Sequence, residues 1–388
     1  PSWRRMMSRH FHELVPVIKR RIKEECVMEI PHDTGELVGV PYPYVSSGRT
    51  REPALCSWDT FFINQGLIRM RMIDLARHMV DNLAYLQHHL GFIPYSNQKS
   101  MLSHSAPPML AWMVRDVYRI TGDKEWLRRL LPDVLKEFHF WTNKPHTTIT
   151  GLYRYASARP GLLPAREASL IESGWIGSPR FDDVRQVNPI DLNSLLYRNA
   201  RLIHDFQVEL EGKGDDRLLE KSELIKKLLE LCWEEGDGFY FDYDFSKKRN
   251  SPLKTLAGFV PLFVEMVDPG RARRMAQQLK WFVAPGGLTI TGSAGQPAAA
   301  PWSHPLCYAP YLHMALKGLC DYEMMEDAAD IGLNWLTLVV EQYEKTGECW
   351  EWYNVVERSA IYPGIENRAM LGWTAGAYIA IVELLGLD

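Results

Sequence analysis

MIDLARHMVDNLAYLQHHLGFIPYSN, residues 72–97, decides the fold. Met72, Ala76, Met79, Val80, Leu83, Leu86 and Leu90 recur at steps of three and four, the spacing of one apolar helix face. Gly91 then stops the helix, and Pro94, Tyr95 and Asn97 belong to a segment that is neither helical nor strand-like. A helix followed by an aromatic and polar loop is therefore the unit to look for along the rest of the chain.

The unit recurs. Helical spacing runs through residues 108–120, 124–141, 191–210, 221–233, 255–267, 272–283, 310–322, 325–343 and 369–385. With the amino-terminal segment and residues 61–70, about twelve helices are expected. Gly, Pro and capping residues punctuate the breaks, as in TGDKE after Ile120 and DPGRAR after Val267. No long linker divides the chain and no β–α alternation appears. Twelve helices joined by short and long loops in turn predict an all-α protein, a single (α/α)6 barrel spanning residues 1–388. An α-solenoid is the competing architecture, but a repeat array needs a fixed period, and these long loops differ from one another. In a barrel they would gather at one end and build a funnel.

Composition narrows the function. The chain has 388 residues, 46% of them hydrophobic, with net charge −4. No run of Lys and Arg tracks a phosphate backbone, so nucleic acid is not an expected partner. The six cysteines lack CxxC spacing and are read as reduced and buried. No apolar stretch reaches the ~18 residues that span a bilayer, so no membrane association is expected. The basic amphipathic start, PSWRRMMSRHFHELVPVIKRR, lacks the apolar centre of a secretory leader, which makes the cytoplasm the expected location. HExxH, EF-hand and phosphate-cradling motifs are missing, so neither metal nor organic cofactor is called for. The 13 tryptophans and 17 tyrosines suit either a large core or the flat faces of a sugar cleft. The oligomeric state is not legible.

Five loops mix aromatics with charged or amide side chains: 40–62, 91–108, ESGWIGSPRFDD at 172–183, PWSHPLCYAP at 301–310 and ECWEWYNVVERSAIYPGIENRAMLGW at 348–373. PYPYV with Gly48-Arg49-Thr50-Arg51-Glu52 and Trp58-Asp59, ESGW followed by PIDLNSLLY, then DGFYFDYD, FVPLF, PWSHPLCYAP, WEWYNV and LGWTAG form an ordered series. It resembles the trehalase-type inverting glycoside hydrolases and their family 63 relatives, which include α-glucosidases and mannosylglycerate hydrolases. The resemblance covers about residues 37–383.

In that family one carboxylic acid protonates the departing oxygen and a carboxylate activates water from the other face, roughly 6.5–9.5 Å away. The resemblance places the water-activating glutamate at Glu351. At the general-acid position stands Ile176, which has no proton to give. Asp182 and Asp183 are the candidate replacements, although an ordinary capping or Arg-pairing role suits them better. Arg49 and Asp59 match sugar-contacting positions, and Trp302 matches an aromatic wall residue. Tyr95 and His104 stand where trehalases use an asparagine and an arginine, and Ala106 replaces a glutamine, which argues against trehalose itself. Glu366 is the stand-in for a second family glutamate. Trp58, Trp175 and Trp352 are expected in the pocket wall, and Arg180 is expected to brace Glu172 or Asp182.

The expected partner is a small α-linked sugar or glycoside. Two other readings remain open at this point: an isomerase, epimerase or eliminating enzyme using His104, His304 or Tyr308 as proton carriers, or a carbohydrate-binding protein without turnover.

Overall fold

The computed structural model describes residues 2–48, 53–157, 161, 163–293 and 299–387. Among these residues lie thirteen α-helices: α1 (Ser2–Arg21), α2 (Ser57–Arg69), α3 (Ile73–Leu90), α4 (Leu110–Thr121), α5 (Lys124–Trp141), α6 (Ala165–Ser173), α7 (Ile190–Glu211), α8 (Asp216–Leu228), α9 (Val260–Phe263), α10 (Pro269–Gln277), α11 (Ala309–Asp321), α12 (Met325–Thr346) and α13 (Gly372–Leu384).

Packing sorts them into two shells. Helices α2, α4, α7, α9, α11 and α13 each touch the next in that order, and α13 returns to α2, closing a ring of six. The alternate helices lie outside. α3 leans on α2 and α4, α5 on α4 and α7, α8 on α7, and α1 and α12 on α13. Burial follows the shells. In α13 every residue from Gly372 to Val382 is buried, whereas α8 buries only Leu218, Ser222 and Ile225 and α10 only Ala272 and Met275. A helix apolar on all sides is a core helix; a narrow buried stripe marks a surface one. The chain is thus an (α/α)6 barrel, and its closed ring excludes the solenoid.

The ring closes by backbone contact. A Cβ built on Gly376 of α13 would lie 1.9 Å from the Phe62 carbonyl oxygen of α2, and one on Gly66 would lie 3.0 Å from the Gly376 Cα. Only glycines let the two axes come this near.

Several helices differ from expectation: those expected at 221–233 and 272–283 start earlier, as α8 and α10, and give way to 3₁₀ turns at Leu229–Cys232 and Gln278–Trp281. The apolar run at 255–267 gives a 3₁₀ turn, Leu256–Phe259, and then the four-residue α9, because Pro261 has no N–H with which to continue the α-helical ladder. Helix α6 is an addition to the expected set, with only Ala168, Ser169, Glu172 and Ser173 buried.

Among the described residues the β-structure consists of two-residue strands, three of them in one small sheet and the rest in pairs, that pin loops together. Leu306–Cys307 pairs with Tyr353–Asn354, tying the loop before α11 to the loop before α13. A single bridge between Cys56 and Ser96 ties the entrance of α2 to the α3–α4 loop. Buried apolar side chains from Phe11 to Leu387 form one continuous cluster. No described helix is long and apolar enough to cross a membrane.

Candidate active site

Five of the six inner helices, α2, α4, α7, α11 and α13, are entered from loops that meet at one end of the ring and line a cavity of about 790 Å³. Trp58 and Asp59 come from the first turn of α2, Tyr95 and Met101 from the loop before α4, Ile176 from the loop before α7, Trp302 and Tyr308 from the loop before α11, and residues 348, 350–352 and 365–370 with Trp373 from the entrance of α13.

Glu351 is fixed from two sides. Its backbone N–H donates to the Arg368 carbonyl at 2.9 Å, and its carbonyl accepts from Trp373 Nε1 at 3.0 Å. Its carboxylate receives both arms of Arg368, at 2.9 and 3.0 Å. The Glu351 side chain keeps 15% of its surface exposed. A bidentate guanidinium fixes the plane of a carboxylate as well as its charge.

Aromatic rings form the wall. Trp302 stacks on Tyr308 at 3.8 Å and 8°, and Trp373 meets Trp302 edge-on at 6.0 Å. Trp302 has a positive φ of 53°, a backbone state that a bulky residue adopts only when its surroundings enforce it. Its N–H donates to the Tyr308 hydroxyl at 3.1 Å. The Tyr95 hydroxyl is pushed up, first by burial and then by the negative charge of Asp59 and Glu351, so it stays protonated as a donor. Asp59 is buried against the cavity.

The expected residues thus fall into three groups. Glu351, Trp58, Asp59, Tyr95, Trp302, Trp352 and Glu366 line one cavity. Trp175, His104 and His304 do not line it. Trp175 is wholly buried, its Nε1 donating to the Tyr311 hydroxyl at 2.8 Å, so it supports Trp302 from behind at 5.3 Å. His104 is buried, its carbonyl accepting from the Tyr95 N–H at 2.6 Å, and burial lowers its pKa. His304 precedes a cis proline and its N–H donates to Thr291 Oγ1 at 2.9 Å. Arg49 lies outside the described residues.

The third group is Asp182 and Asp183, and both face away from the cavity. Asp182 has 81% of its side chain in solvent and pairs with Lys247. Asp183 caps a 3₁₀ turn through the Arg185 N–H and pairs with the Arg185 guanidinium, which holds its carboxyl below the usual range. Arg180 braces neither Glu172 nor Asp182. Its guanidinium is fully buried between Asp191 and Asp242, at 2.7–3.0 Å. Glu172 instead accepts from Ser105 Oγ, from His146 Nε2 at 3.1 Å and from the Ala156 N–H at 2.8 Å.

Residues that the sequence reading passed over include Arg368, Glu348, Trp350 and Trp373, all in the cavity wall. The LGWTAG motif contains Trp373, and its glycine neighbour signals a close approach. Arg368 has no such local signal. No cluster of three or more metal-binding side chains occurs among the described residues.

The trehalase family model matches residues 2–174 and 177–386, breaking only at Trp175 and Ile176. The periplasmic trehalase of Pseudomonas aeruginosa is 29% identical over 431 positions, covering 98% of this chain and 77% of that protein. An Escherichia coli periplasmic trehalase is 28% identical over 435 positions, covering 98% of this chain and 74% of its own. The neutral trehalase Nth1 from Saccharomyces cerevisiae shares the fold with a TM-score of 0.81 at 22% identity, covering 89% of this chain and 74% of its own. A GH63 mannosylglycerate hydrolase from Thermus thermophilus, solved with glucose, shares it with a TM-score of 0.72 at 18% identity, covering 97% of this chain and 100% of its own. The cytoplasmic location expected from the amino terminus is overturned by the sequence relatives, which are named periplasmic enzymes. By the extent of the family match, the chain belongs to the trehalase family and is a glycosidase-type hydrolase.

Proposed function

We propose that this enzyme hydrolyses a small α-linked glycoside with inversion, Glu351 taking a proton from the attacking water. The observation that carries the reading is a carboxylate set in an aromatic cavity and held in one plane by Arg368. Water loses its proton to Glu351 as its oxygen bonds to the anomeric carbon, and the bond to the aglycone oxygen breaks with its electron pair. Trp302, stacked on Tyr308, and Trp58, Trp352 and Trp373 offer flat faces to the sugar ring. Asp59 and the Tyr95 hydroxyl are the polar partners for sugar hydroxyls.

The isomerase reading loses its support, because His104 and His304 do not line the cavity and the Tyr308 hydroxyl is engaged by the Trp302 N–H. The test is turnover of a panel of α-linked glycosides, trehalose among them, with the product anomer followed by proton NMR. The first product is expected to be the β-anomer. Glu351→Gln is expected to lower kcat/KM by roughly 10²–10⁴-fold. Full activity of Glu351→Gln on every substrate would remove that residue from the role.

A further inference from the structure

The side of the cavity formed by the loop before α7 carries an aliphatic side chain, and the geometry holds it there. Ile176 lines the cavity and is 44% exposed. It sits between Gly174 and Gly177, with φ of 78° and 79°, a turn that side chains rarely tolerate at those flanks. A Cβ at Gly177 would fall 3.2 Å from Pro301, and Ser178 Oγ donates to the Trp302 carbonyl at 3.0 Å. The Ile176 turn, Pro301 and Trp302 therefore form one unit. Met101 and Ile365 add further aliphatic lining. An aliphatic surface of this kind is costly in water and is relieved by an apolar ligand.

The carboxylates lining the cavity, Asp59, Glu348, Glu351 and Glu366, come from the entrances of α2 and α13, and Glu348 is held by Arg21 at 2.9 Å. The two acids that follow Ile176 in sequence, Asp182 and Asp183, point elsewhere and pair with Lys247 and Arg185.

We infer that the departing half of the substrate is an apolar aglycone that leaves as a stable anion, that is, the phenol of an aryl glycoside. The inference rests on the reading of Glu351 as the water-activating base. Phenols ionise near pH 10, as tyrosine does, far more readily than water or an alcohol, so a phenolate departs without the proton that an alkoxide needs. The anomeric C–O bond breaks with its electron pair on the phenolic oxygen. The water proton taken by Glu351 passes to solvent, which returns one to the phenolate. A phosphate leaving group fits less well: among the described lining residues the one guanidinium is Arg368, already bound to Glu351.

The test is kcat/KM for aryl α-glycosides of glucose, galactose and mannose with phenols of graded acidity, beside the matching alkyl glycosides. Wild type, Ile176→Ser, Ile176→Asp and Glu351→Gln are compared. Wild type is expected to favour aryl over alkyl glycosides by roughly 10²-fold or more, with rates rising steeply as the phenol becomes more acidic. Ile176→Ser is expected to raise KM for the aryl series and leave that dependence steep. Ile176→Asp is expected to flatten it and to bring up the alkyl glycosides. Equal turnover of both classes by wild type, or no turnover of the aryl series, overturns the inference. If equal turnover is lost in Glu351→Gln, the base assignment survives that failure. If Glu351→Gln is as active as wild type, the base assignment is the part that fails.

Discussion

Two arginines hold carboxylates in forked pairs, and their surroundings make them different devices. Arg180 has no exposed side-chain surface. Asp191 and Asp242 grip it, the rings of Trp175 and Phe181 cover it at 4.5 and 4.6 Å, and the Tyr311 hydroxyl donates to Asp191 at 2.6 Å. Arg368 is 42% exposed and holds Glu351 at the cavity wall. In the first pair water cannot replace a lost partner, so the cluster fixes the entrance of α7 to the loop at Asp242. In the second, water and a bound sugar both compete for the carboxylate, so the pair orients Glu351 without sealing it off. The chemistry of an ion pair does not say what it is for; its burial does.

The largest effect that can break this contrast is on Arg180. Arg180→Ala leaves two buried carboxylates uncompensated and is expected to cost about 3–5 kcal/mol of stability, read as a fall in the unfolding midpoint in urea. A loss near zero would put the two arginines in one class. The next test uses pH. Burial alone would raise the Asp191 carboxyl, but the Arg180 charge and the hydrogen bonds from Arg180 and Tyr311 outweigh it and hold it below its ordinary value. A folded value below the unfolded one means that the stability is complete above about pH 3.9 and drains away as pH falls through the folded value. Unfolding followed from pH 6 to pH 2 should therefore steepen below about pH 4 in wild type, and Asp191→Asn should be less stable with a shallower acid limb. The smallest effect belongs to Arg368. Arg368→Gln is expected to lower kcat/KM by about tenfold, the loss of one charged hydrogen-bonding partner, with a stability change under about 1 kcal/mol. A stability loss as large as that of Arg180→Ala would erase the contrast from the other side.

The fold was legible where one face of a helix is wet and the other dry. α5 runs Lys124–Trp141, the bounds its periodicity predicts, with Asp123 capping the Trp126 N–H. Legibility fell where that contrast disappears: α13 is buried all round, so its apolar run shows that a helix exists but not where it starts. In the site, Glu351, Trp58, Asp59 and Trp302 carried a recognisable loop context. Arg368 did not, because it meets Glu351 from 17 positions along the chain, beyond any local spacing. Asp182 and Asp183 misled for the opposite reason. They are near Ile176 in sequence, yet the chain turns after the buried Phe181, and the next carboxylate is on the outside.

The glycine contact between α2 and α13 sets an order of events in time. In chain order α2 is the first of the six inner helices and α13 the last, so the barrel stays an open arc until α13 docks. Until then the α2 face that will receive Gly376 is bare, and such unpaired surfaces are the ones that associate wrongly. The segment that ends the wait also brings Glu351, Arg368 and Trp373. The chain therefore gains its closed barrel and this wall of the cavity in one step.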